Sequence, residues 1–222
     1  LARDELGLER VVQRGQVARV VVLDERVERG LAGVRAQVEK MVSRGRLSAE
    51  DGQALAGLIT ADTDKAVYAD ADIVIEAVFE ELEVKRTVFR ELEGIVREDA
   101  ILMTNTSSLS VAAMAEVLER PERLVGFHFF NPVAVMPLLE IIAGDKTSDE
   151  TLARGFDYVL QIKKTPIVVE DSRGFFTSRV FGTLVMEGVE MLAEGVDPVE
   201  IERAPARNEA RALGPAPVDV GE

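Results

Sequence analysis

Between residues 105 and 140, polar side chains interrupt a series of apolar, strand-like runs. Asn105-Thr106-Ser107-Ser108 closes one run. His128 sits inside a second, Val125-Gly126-Phe127-His128-Phe129-Phe130-Asn131-Pro132. Glu140 sits inside a third, Leu138-Leu139-Glu140-Ile141-Ile142. An imidazole titrates near neutral pH and can accept a proton there. A carboxylate on its other nitrogen fixes the tautomer and supports the imidazolium that forms. Polar groups of these types at the ends of adjacent buried segments suit proton transfer. A lone histidine in an apolar run is more often a core residue. Here Asn131-Pro132, which ends the run, and the nearby Glu140 favour a working base. Ser107 and Ser108 also read as ordinary turn residues, and Ser110 as a helix cap. Asn105 reads equally as a backbone brace or a ligand contact.

The composition narrows the chemistry further. The 222 residues contain no cysteine and one histidine, so thiol nucleophiles, disulfides and histidine-rich metal centres are excluded, and no metal site is expected. The net charge of −14 argues against nucleic-acid binding, which needs a basic face. No apolar run approaches the ~20 residues of a membrane span. Residues 1–10 are charged rather than apolar, so no signal peptide is expected there. A soluble, cytoplasmic protein is the default.

The elements that must position these groups follow from periodicity. Residues 17–23 form a β-branched run ending in Asp24, a buried parallel strand by pattern. At the end of the second strand of a dinucleotide fold, Asp24 would hold an adenosine ribose; as an N-cap of the next helix it would have no ligand. Residues 25–43 carry Leu31, Val34, Val38 and Met41 at helical spacing, and Ser48 opens a second helix, giving a helical hairpin. Strands are expected near 58–61, 73–78, 101–104, 124–130, 138–142 and 166–169. Helices are expected at 82–96, with Val84, Val88, Leu92 and Ile95 as its stripe, at 110–118 and at 149–162. Alternating strands and helices predict a Rossmann-like, mostly parallel α/β sheet with ligands beyond its C-terminal edge. Asp24, Glu76, Asn105 and Asn131 all fall at that edge. Beyond Gly174 the pattern becomes helical: a long apolar helix over 175–193, a capping box at 197–200 and a tail over 206–222 expected to be poorly ordered. The expected organisation is a dinucleotide-type domain over 1–173 and part of an all-helical C-terminal domain over 174–222.

Several segments together resemble the 3-hydroxyacyl-CoA dehydrogenase family. They are Ile73-Val74-Ile75-Glu76-Ala77-Val78, Asn105-Thr106-Ser107-Ser108-Leu109, Gly126-Phe127-His128-Phe129-Phe130-Asn131-Pro132-Val133 with Met136, Glu140, and Asp171-Ser172-Arg173-Gly174-Phe175-Phe176 with Arg179. The resemblance covers roughly residues 15–204. It implies NAD-dependent oxidation of an L-3-hydroxyacyl-CoA to the 3-oxoacyl-CoA in fatty-acid β-oxidation. It assigns the general base to His128, its orientation to Glu140 and a hydrogen bond to the substrate oxygen to Ser107. Asp24 would hold the adenosine ribose of NAD. Glu80, Lys85, Ser107, Asn105 and Asn131 would serve the nicotinamide half. By local pattern alone, Glu80 and Lys85 read instead as solvated residues of a charged helix. Arg44 and Arg46 of the hairpin could meet CoA phosphates. The family relationship also implies a homodimer or a place in a multifunctional complex.

The chain departs from the family pattern in three places. It has no G-x-G-x-x-G loop, the backbone cradle for the dinucleotide pyrophosphate. With Leu1 as first residue, this suggests a fragment lacking the first strand and expected to bind NAD weakly when isolated. Where the family often has asparagine, this chain has Ser178, which can still donate to a substrate oxygen. The helical second domain is short. The alternatives are a non-catalytic relative on the same fold, crystallin-like, and an NAD-dependent dehydrogenase of a free hydroxy acid.

Overall fold

The computed structural model describes residues 18–21 and 26–203. Asp24, the other residues of the first expected strand beyond 18–21, and the tail over 206–222 lie outside them. The described residues divide into two compact units between Phe175 and Phe176.

In the first unit, β1 (Ala18–Val21) leads to the hairpin of α1 (Arg26–Ser43) and α2 (Ala49–Gly57), then to β2 (Ile59–Asp62). Ser48 caps α2, its hydroxyl accepting from the Asp51 amide. On α1, Val38 is buried and Leu31, Val34 and Met41 are half-buried, as the helical spacing requires. β1 and β2 pair in parallel as a two-stranded sheet.

The remaining strands are β3 (Ile73–Glu76), β4 (Ile101–Asn105), β5 (Leu124–Phe129), β6 (Leu138–Ala143) and β7 (Thr165–Glu170). They form a five-stranded sheet in the order β3-β4-β5-β6-β7. The expected mostly parallel sheet is present, with β1 and β2 forming a separate two-stranded sheet among the described residues. Within the larger one, β5 and β6 are antiparallel and the other pairs parallel. Residues 130–137 are too few for a crossover helix, so the chain must turn back beside β5. α3 (Leu82–Glu93) and α4 (Val111–Ala115) connect β3 to β4 and β4 to β5, and α5 (Asp149–Gln161) crosses from β6 to β7.

Strand alternation sorts the core onto two faces. Val74, Leu102, Leu124 and Ile142 pack with Phe89 and Leu92 of α3, Val111 and Met114 of α4, and Phe175. Ile101, Met103, Val125, Phe127, Leu139 and Ile141 pack against Val159 of α5. Two expectations change here. β3 stops at Glu76 rather than at residue 78, because the Val78 amide turns to the Glu76 carboxylate at 2.6 Å. The buried stripe of α3 and the turn after it is Lys85, Phe89, Leu92 and Val96, while Val84, Val88 and Ile95 are only half-buried. The helix is rotated so that a lysine faces the sheet.

The second unit contains α6 (Thr177–Ala193) and a helical segment over 198–203. α6 begins two residues later than the pattern suggests. Gly174 and Phe175 both have positive φ, +76° and +47°, which cannot start a right-handed helix. Gly195, with φ of +91°, follows its end. Asp197 caps the next segment, its carboxylate accepting from the Val199 amide at 2.8 Å.

Candidate active site

His128 and Glu140 face each other directly. They are register partners across the antiparallel β5–β6 ladder, so their side chains project from the same face. His128 Nδ1 lies 2.7 Å from Glu140 Oε2. Glu140 is fully buried and His128 is 6% exposed. A carboxylate can only accept, so Nδ1 donates and the lone pair is left on Nε2. That is the tautomer a general base needs. Phe130 and Phe175 flank the ring, with centroids 4.5 and 5.9 Å away. Their apolar surfaces keep the pair out of bulk water and strengthen its electrostatics.

The register of the parallel strands brings the other polar groups to the same edge. Asn105 pairs with Phe127, next to His128, and Thr104 pairs with Glu76. The Thr106 amide also reaches the Phe127 carbonyl at 3.4 Å. Ser107 and Ser108 are exposed just beyond this edge. Their backbone amides donate to Glu80 Oε1 at 2.8 and 3.3 Å, and the Thr106 hydroxyl donates to the same oxygen at 2.6 Å. Burial pushes the Glu80 carboxyl up. The hydrogen bonds from Thr106, Ser107 and Ser108 and the Lys85 charge outweigh it and hold the group below its ordinary value.

The structure revises the reading of Lys85. Its side chain is fully enclosed, not on a solvated helix face. The ammonium donates to both carboxylate oxygens of Glu76 and to the Asn105 carbonyl, each at 2.9 Å, and lies 3.5 Å from Glu80 Oε2. It thus stands behind Glu80. Sequence reading placed Glu76 at the ligand edge and Thr106 in the polar turn, but missed Thr104 and the contacts that join all three to Lys85 and Glu80. One signal was present: Glu76 follows Val74 by two residues, on the inward face of a short apolar strand.

Asn131 is exposed at the end of β5 and precedes a cis peptide bond to Pro132. Ser178 lies in the first turn of α6, in the second unit. Arg44 and Arg46 are exposed at the hairpin turn. Among the described residues no three carboxylate, histidine or cysteine side chains gather as a metal site, and no helix is long and apolar enough to cross a membrane.

Comparison with known proteins decides the family. Residues 11–172 match the model of the 3-hydroxyacyl-CoA dehydrogenase NAD binding domain. The chain belongs to that family. It is 42% identical over 179 residues to a fatty acid oxidation complex subunit alpha of Idiomarina loihiensis, covering 81% of this chain and 25% of that protein. The subunit of the same name from Colwellia psychrerythraea is 38% identical over 193 residues, covering 87% of this chain and 27% of the other. The chain therefore spans about a quarter of the length of these relatives. The crystal structure of (S)-3-hydroxybutyryl-CoA dehydrogenase PaaH1 from Ralstonia eutropha is 33% identical, with a TM-score of 0.82, covering 90% of this chain and 72% of that one.

NAD is the cofactor of this dehydrogenase domain family. At the C-terminal edge of the sheet, Asn105 pairs with Phe127, and Glu80 gathers the Thr106 hydroxyl and the Ser107 and Ser108 amides. The pyrophosphate half needs several backbone amides presented by a glycine-rich turn, and the sequence contains no G-x-G-x-x-G.

Proposed function

We propose that this chain provides the proton-transfer site of an NAD-dependent L-3-hydroxyacyl-CoA dehydrogenase acting in fatty-acid β-oxidation. The observation that carries this reading is the buried His128–Glu140 pair, with Nδ1 and Oε2 2.7 Å apart. His128 Nε2 takes the proton of the substrate 3-hydroxyl as the C–O bond becomes a carbonyl. Glu140 holds the ring in the required tautomer and stabilises the imidazolium. Ser107 hydrogen-bonds the substrate oxygen. NAD, when bound, would supply the acceptor for the C3 hydride. Asp24 would hold its adenosine ribose, and Glu80, Lys85, Asn105 and Asn131 would serve its nicotinamide half. Arg44 and Arg46 face the CoA phosphates. The product is the 3-oxoacyl-CoA.

The relatives named as alpha subunits of fatty acid oxidation complexes support a place in a multifunctional protein, and a homodimer is the alternative assembly. The boundary between the dinucleotide-binding part and the helical part is proposed at residues 173–174.

The test is His128→Ala in the intact protein that carries this chain. Turnover of a 3-hydroxyacyl-CoA, followed by NADH absorbance, should fall by at least ~10³-fold with NAD affinity retained. Near-normal turnover in a folded variant would overturn the reading.

A further inference from the structure

We propose that Glu76 is a positioning residue for the Ser107–Ser108 segment, acting through Lys85 and Glu80. The proposal rests on the reading above only in giving Ser107 a substrate contact. The positioning itself can be measured without turnover.

Alternation along β3 points Val74 and Glu76 into the core, where an apolar side chain would be expected at both places. Glu76 is instead a carboxylate only 4% exposed. Each of its oxygens has a set of donors. Oε1 accepts from the Val78 amide at 2.6 Å and from Lys85 at 2.9 Å. Oε2 accepts from Lys85 at 2.9 Å and from the Thr104 hydroxyl, its register partner's side chain, at 2.7 Å. This fixes the Lys85 ammonium in one place. From there Lys85 donates to the Asn105 carbonyl, at the last residue of β4, and faces Glu80 Oε2. Glu80 in turn gathers the Thr106 hydroxyl and the amides of Ser107 and Ser108 on its other oxygen. The Thr106 hydroxyl also receives the Leu109 amide at 3.0 Å. Strand β3, helix α3 and the turn after β4 are therefore joined by one alternating row of charges: carboxylate, ammonium, carboxylate, amides.

The energetics favour positioning over stability as the role of this row. A buried ion pair commonly gains little over apolar residues of the same volume, because desolvation offsets the attraction. An apolar pair of similar volume at 76 and 85 would remove both buried charges together. It would not hold the Asn105 carbonyl or the Glu80 carboxylate. What the charged pair adds is a defined place for the turn that carries Ser107.

Two substitutions separate the roles. In Glu76→Leu/Lys85→Met both charges go and the packing volume stays. Glu76→Gln keeps the shape and gives a second, milder perturbation should the double variant fold poorly. The measurement is amide hydrogen exchange at Ser107 and Ser108, relative to the amides of β4. Loss of one charge-assisted hydrogen-bond link should speed exchange of the two serine amides about tenfold or more. The β4 amides should keep their protection. In the intact protein, kcat on a 3-hydroxyacyl-CoA should fall at least as far in the double variant, even where its urea midpoint matches the parent. Unchanged serine exchange in a folded variant would overturn the proposal, as would parent-like kcat with parent-like stability. If the parent protein itself does not turn over the substrate while the exchange effect appears, the functional reading fails and the positioning role stands.

Discussion

Replacing Glu140 by glutamine changes one atom type at the centre of the proposed base. The carboxylate is fully buried, with Oε2 2.7 Å from His128 Nδ1. At that contact the charge centres of an imidazolium and a carboxylate lie roughly 4 Å apart. With an effective dielectric of ~20, their attraction is about 4 kcal/mol. A carboxamide in the same place still accepts from Nδ1–H, a neutral hydrogen bond worth about 1 kcal/mol. The net loss is then roughly 2–4 kcal/mol, and it applies only once His128 carries the proton. An interaction made only in the proton-transfer step leaves substrate binding little changed. Glu140→Gln should lower kcat roughly 30- to 1,000-fold with KM nearly constant. The assay is NADH formation from a 3-hydroxyacyl-CoA by the intact protein, with a thermal melt to show that the variant folds. A kcat within a factor of about three of the parent would mean that Glu140 does not support charge on His128. A large rise in KM at constant kcat would mean that it shapes binding instead. Either result would refute the reasoning from this pair.

Two further outcomes test the surrounding structure. At Gly126, two residues before His128, an added Cβ would lie 2.6 Å from Val111 Cγ2 and 2.9 Å from Ile142 Cβ. Gly126→Ala should therefore destabilise the fold by about 1–3 kcal/mol, read as a lower urea midpoint at unchanged slope; an unchanged midpoint would show that α4 and β6 can move apart freely. Glu80 has its folded pKa below the ordinary glutamate value, so its contribution is complete above that value and is lost as pH falls through the depressed one. Stability should therefore decline on acidification below the usual glutamate range, and Glu80→Gln should lose part of that slope; identical acid slopes in parent and variant would contradict the network.

Much of this protein could be read directly from local sequence. Helix starts were legible because a serine followed by helical spacing supplies an acceptor for orphan amides, as Ser48 and Ser110 do. Strand positions in the larger sheet were legible because β-branched runs are bounded by turn residues. The types of the chemical groups, one imidazole with a carboxylate twelve positions later, were also on view. What the chain order alone could not supply was contact. His128 meets Glu140 because β6 returns antiparallel to β5 in one particular register, and a slip of one residue would put the two side chains on opposite faces. Lys85 looked like surface because charged residues usually are. It is buried because α3 turns it toward a carboxylate on β3 that is nine residues away in sequence. Pairwise charge compensation in a core depends on where two elements dock, and local periodicity does not encode that. The tertiary structure alone decides it.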